Sequence, residues 1–150
     1  GYLAIAKNID RIADRCGDVV DIYERIGTSE KILSEQAKEE LAQCVTIAEE
    51  LFEQAITAVA TDNVDQAEQV IQDKKRMRKA QKKSTKKHLE RLQENLCDPE
   101  LTRAYSGILL NLDRVADNCT GIAEEALDRV TYVRFDTEEN AQQNVIAANA

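Results

Sequence analysis

Asn8-Ile9-Asp10-Arg11-Ile12-Ala13-Asp14-Arg15-Cys16 returns 103 positions later as Asn111-Leu112-Asp113-Arg114-Val115-Ala116-Asp117-Asn118-Cys119. The likeness extends upstream, where Tyr2 and Ile5 recur as Tyr105 and Ile108. Over Gly1–Tyr23 set against Ala104–Ala126, eight of 23 positions are identical. A density of that order marks a duplicated helical unit. Each copy sets two carboxylates at i and i+4, one above the other on a single helix face. A third acid recurs as Asp21 and Glu124.

Working outward from the repeat, 150 residues suit one domain, which at that size buries about 70% of its unfolded surface. One Pro, five Gly and no Trp, among stretches rich in Ala, Leu, Ile, Glu and Lys, point to an all-α protein. No apolar run approaches the length of a membrane span. Gly1 opens straight into a helical pattern, with neither initiator Met nor secretory leader, so the expectation is a soluble segment of a longer protein. Cys16, Cys44, Cys97 and Cys119 form no CxxC pair. Three of them stand at apolar helical positions, as reduced core thiols of a cytosolic protein would.

The expected architecture is an antiparallel up-down-up-down four-helix bundle, with helices at about 2–26, 29–61, 64–95 and 99–131 and a polar tail at 132–150. In the first helix Ile5, Ile9, Ile12, Cys16, Val19, Tyr23 and Ile26 make one apolar stripe, closed by Gly27. Thr28 or Ser29 is expected to cap the second helix, with Glu30 in its first turn. Thr61-Asp62-Asn63 separates the second from the third helix, and Asp98-Pro99-Glu100 opens the fourth. The third helix is unusual. Its inward stripe runs Ala67, Val70, Lys74, Met77, Gln81, Ser84, His88, Leu92, polar through the middle.

Charge is segregated along the chain. Residues 74–87 hold nine Lys or Arg and no acid, leaving 11 basic residues against 28 acidic ones elsewhere. Lys74 or a neighbouring Arg is therefore expected to meet acids of the first or fourth helix. Lys75, Arg78, Lys79, Lys82, Lys83 and Lys86 form a candidate basic interaction face. It either neutralises acidic neighbours or meets anionic lipid headgroups. With no stacking aromatics in the run and an acidic chain overall, nucleic acid is not an expected partner. His88 is the only histidine and reads as a hydrogen-bonded structural residue. One His and no Gly-rich phosphate loop give no nucleophilic or nucleotide-binding constellation, so no enzyme is expected.

With both Asp-Arg-Ile/Val-Ala-Asp copies in view, the chain resembles the PhoU family of phosphate-transport regulators. His88-Leu89-Glu90-Arg91-Leu92, Cys97-x-Pro99-Glu100-Leu101 and Tyr105 resemble the PhoU-like cytoplasmic tail of bacterial sodium/phosphate cotransporters. The resemblance covers about residues 1–130. It implies a duplicated three-helix unit, here the third helix of unit one and all of unit two. It also implies a regulatory domain at the cytoplasmic face of the inner membrane, partnered by the transporter's membrane domain. An anionic lipid surface and a second copy are further partners on this reading. From the family's motif, Asp10, Asp14, Asp113 and Asp117 carry over as candidate ligands for iron or zinc. The chain departs from the pattern where the preceding helix should add acids: Asp73 is followed by Lys74, Lys75, Arg76, Met77 and Arg78. Those cations either repel a metal or take its place. A metal-binding bundle and a plain oligomerising scaffold are the alternatives to a regulatory module.

Overall fold

In the computed structural model, which describes residues 1–150 apart from the side chains of 132–135, four helices follow one another. They are α1 (Tyr2–Thr28), α2 (Glu35–Thr61), α3 (Val64–Gln93) and α4 (Thr102–Ala148), with a turn of 3-10 helix at Pro99–Leu101. Contacts between side chains fix the directions. Gly1 meets Glu125, while Ile22 lies beside Gly107, so α1 runs antiparallel to α4. Glu40 pairs with Arg91 and Glu50 with Arg76, opposing α2 and α3. His88 meets Thr102 and Lys74 meets Asp117, opposing α3 and α4. The result is the antiparallel up-down-up-down four-helix bundle.

The caps explain the boundaries. Ser34 Oγ accepts from the Ala37 amide at 3.1 Å, and Asn63 Oδ1 accepts from the Gln66 amide at 3.0 Å. Asp62 takes the left-handed conformation, φ 50°, that ends α2. Asp98 Oδ1 accepts from the Glu100 amide at 2.9 Å, with Pro99 in the first turn.

Several expected boundaries move. The second helix starts at Glu35, not 29, because residues 29–34 are used as a strap. There Lys31 Nζ binds Asp98 at 2.5 Å and Glu100 at 3.0 Å, Leu33 is buried and Ile32 is exposed. Gly27 remains helical and α1 ends one residue later at Thr28, where the Ser29 amide still bonds the Ile26 carbonyl at 3.1 Å. The fourth helix begins at Thr102 after the 3-10 turn and continues through the expected tail to Ala148. Residues 136–150 of this extension are exposed.

The core lies between α2, α3 and α4. Leu51, Val70, Met77, Tyr105, Ile108, Cys44, Cys119 and Ile122 are fully buried there. The stripe expected for α3 points inward, with Lys74, Gln81 and Leu92 half-buried. On α1 the stripe divides. Ile5, Ile12 and Ile26 are buried against α4, but Ile9, Cys16 and Tyr23 are exposed. The reason is geometric: α1 packs chiefly along α4, and one neighbour covers only one side of a helix.

Candidate functional site: charged side chains on the two sides of α3

Polar residues at the inward positions of α3 leave it short of apolar area, and ion pairs fill the deficit. Lys74, one turn before Met77, reaches the Asp117 carboxylate on α4. Arg76 Nη2 bonds Glu50 Oε2 on α2 at 2.9 Å. Asp113, a turn before Asp117, is half-buried. Burial first, and then the charge of Asp117, raise its pKa; Lys74, Arg78 and Arg114 oppose the shift. The second copy of the acidic motif is placed differently. Asp10 and Asp14 are exposed on α1.

These donors do not fit a metal centre. Each helix offers one pair of carboxylates, and the Lys74 ammonium already sits on Asp117. Among the described residues no three His, Cys, Asp or Glu side chains converge. A structural iron or zinc site takes about four ligands in closed geometry. The expected alternative, a cation in the metal's place, is the arrangement seen at Asp117.

A second charged group lies deeper at the opposite end of α3. Arg91 Nη1 donates to both oxygens of Glu40, at 2.5 and 3.1 Å, and the two residues are 6% and 7% exposed. The guanidinium carbon lies 5.9 Å from the centroid of the Tyr105 ring. His88 stacks on the same ring, centroids 4.6 Å apart at 16°. Its Nε2 is 3.0 Å from Thr102 Oγ1. Tyr105 donates its hydroxyl to the Ser84 carbonyl at 3.3 Å, and burial pushes its pKa up to about 12. Burial also lowers the pKa of His88, with Arg91 adding to the effect and Glu40 opposing it, which favours the neutral imidazole. This layer ties α2, α3 and α4 together. Reading the sequence singled out His88, Ser84 and Tyr105, named Arg91 only within the His88–Leu92 motif with no role of its own, and did not single out Glu40. Arg91 continues the 77, 84, 88 period, which is the signal that could have found it.

The outer side of α3 has the reverse character. Lys75, Arg78, Lys79, Lys82, Lys83 and Lys86 are all exposed. Of the nine cations in residues 74–87, Lys74 and Arg76 are the two in ion pairs among the described residues. Neutralising neighbours therefore accounts for a minority of the run.

The PhoU domain model matches residues 41–126, more than half of the chain, and the chain belongs to the PhoU domain family. The match spans most of α2, all of α3 and the first half of α4, leaving α1 outside it. The family is one of regulatory, non-enzymatic domains, and membership brings a regulatory role related to phosphate transport. No curated protein and no solved structure matches the chain. No helix among the described residues is long and apolar enough to cross a membrane.

Proposed function

We propose that the chain is the regulatory domain of a bacterial sodium-dependent phosphate transporter. It lies against the cytoplasmic face of the plasma membrane and adjusts transport through contacts of its bundle with the transporter's membrane domain. The observation that carries this reading is the outer face of α3, where Lys75, Arg78, Lys79, Lys82, Lys83 and Lys86 are exposed and outside every ion pair among the described residues. Concentrating cations on one face of an acidic chain favours one docking orientation toward an anionic surface. The Lys74–Asp117 and Glu40–Arg91 pairs hold α3 in place, so that the face is presented by a rigid element.

The test is made in cells. Lys79, Lys82, Lys83 and Lys86 are replaced together by Glu in the intact protein, and phosphate uptake is followed under phosphate-rich and phosphate-poor growth. The expected result is loss of the uptake response to phosphate supply, with the variant accumulating and melting like the parent protein. Uptake regulated as before in the folded variant overturns the reading.

A further inference from the structure

Where α1 stops and α4 begins, a cleft of about 800 Å³ lies apart from both the basic face of α3 and the Glu40–Arg91 layer. Ile22 and Ile26 of α1, Leu101 of the 3-10 turn, and Ala104 and Gly107 of α4 supply its apolar lining. The lining is continuous because Ile22 settles against Gly107, where a Cβ would lie 3.2 Å from Ile22 Cδ1. The same contact, between antiparallel helices, brings Arg25 and Arg103 to one level, a turn further along α1 and a turn back along α4. Both arginines line the cleft and both are exposed. Arg25 Nε donates to the Asp21 carbonyl at 3.3 Å, which anchors the side chain on α1 and leaves its terminal nitrogens without a partner among the described residues. Arg103 has no hydrogen bond or ion pair among the described residues.

The other charged groups of the cleft do not cancel these two. Lys31 of the strap is held by Asp98 at 2.5 Å and by Glu100 at 3.0 Å, so Lys31 and Glu100 answer each other. Glu30, exposed on the strap, is then the one unpaired acid of the lining set against two guanidinium groups, among the described residues. The neighbouring hollows lack this combination. The groove beside Val19, Val45 and Ile108 is apolar but carries Glu24 and Lys38. The hollow at Asp21, Glu24, Arg25 and Thr28 has no apolar floor.

We propose that this cleft binds an anionic amphiphile, a molecule with one phosphate or carboxylate head and an apolar body. The head is taken between Arg25 and Arg103, whose planar guanidinium forks match paired anionic oxygens. The body lies on Ile22, Ile26 and Leu101. An apolar cavity with a few converging polar groups is the usual form of a small-molecule site, and this one has the volume for it. Since Arg25 belongs to α1 and Arg103 to α4, the bound head ties the two helices beside the Lys31 clasp, at the end opposite the contact of Gly1 with Glu125.

The test titrates the purified protein with hexyl phosphate, inorganic phosphate and hexanol, following amide signals by NMR. Hexyl phosphate is expected to bind roughly tenfold or more tightly than either fragment, and to move the signals of Ile22, Ile26 and Ala104. Arg25→Ala and Arg103→Ala should each weaken it by about tenfold. The variant with Lys79, Lys82, Lys83 and Lys86 changed to Glu should bind it as the parent does, so the result is independent of the role given to α3. Hexyl phosphate bound no better than inorganic phosphate overturns the proposal. So does affinity that survives in a folded Arg25→Ala, Arg103→Ala variant, or that is lost in the α3 variant instead. If that double variant does not fold, Arg25→Lys with Arg103→Lys keeps the charge without the fork, and equal affinity there is the overturning result. Vesicles of phosphatidic acid in phosphatidylcholine separate the two sources of such a head. Competition by hexyl phosphate, present in the parent and absent in the double variant, assigns the head to a lipid; undisturbed sedimentation assigns it to a free anion.

Discussion

Arg91 and Glu40 show what a single pair of residues can do inside a bundle this thin. Bringing both charges into the interior is costly, and the contact of Arg91 Nη1 with both Glu40 oxygens offsets that cost only while both partners are present. Arg91→Met leaves the Glu40 carboxylate buried without a counter-charge, and a loss of about 3–5 kcal/mol in unfolding free energy is expected. Adding Glu40→Leu should recover most of it. Urea titration of the two variants checks this; a double variant as unstable as the single would show that the pair itself supplies the stability. His88 makes a pH-dependent contribution of known sign. Its folded pKa lies below that of the unfolded chain, so the unfolded state binds the proton more readily. Stability should therefore fall as pH drops from the ordinary histidine pKa near 6.5 toward the lowered value. The melting temperature followed across that interval should decline in the parent protein, and His88→Gln should remove that part of the decline. Parallel curves for the two proteins would refute the assignment.

At the scale of elements, α1 depends on close approach to α4. A Cβ placed on Gly121 would lie 2.8 Å from Asn8 Oδ1, while one on Gly107 would meet the flexible end of Ile22 at 3.2 Å. Gly121→Leu should thus displace α1 at a cost of about 1–3 kcal/mol. Amide exchange should quicken along α1 and stay slow in the cores of α2 and α3; unchanged exchange in α1 would mean that Asn8 simply swings aside. This difference between helices was only partly legible in the sequence. The helices, the Asn63 and Asp98 caps and the polar stripe of α3 could be read because each follows from local periodicity or capping. Ser29 and Ser34 are both good caps, and what chooses Ser34 is the distant clasp of Lys31 on Asp98 and Glu100. Glu40 looks like surface until Arg91, far along the chain, is placed beside it. Ile9 and Leu112 occupy the same place in the repeat, and only the neighbours decide that one is exposed and the other buried.

For the whole molecule the governing feature is the separation of charge, since a net charge of −8 coexists with a face of unpaired cations on α3. A uniformly acidic protein is repelled by an anionic surface. This one can approach it in the orientation that turns the basic face of α3 toward the surface. Each cation near such a surface contributes roughly 1 kcal/mol, a contribution that vanishes within a Debye length of about 8–10 Å at ordinary ionic strength. The purified protein should therefore co-sediment with vesicles of mixed phosphatidylserine and phosphatidylcholine, and not with phosphatidylcholine alone. Raising the salt several-fold should release it. Replacing Lys79, Lys82, Lys83 and Lys86 with Glu should abolish sedimentation at every salt concentration, because the changed face then repels the lipid. Binding that survives this reversal would place the contact on another surface of the bundle. Absence of binding by the parent protein would mean that the cations of α3 do not meet an anionic lipid surface.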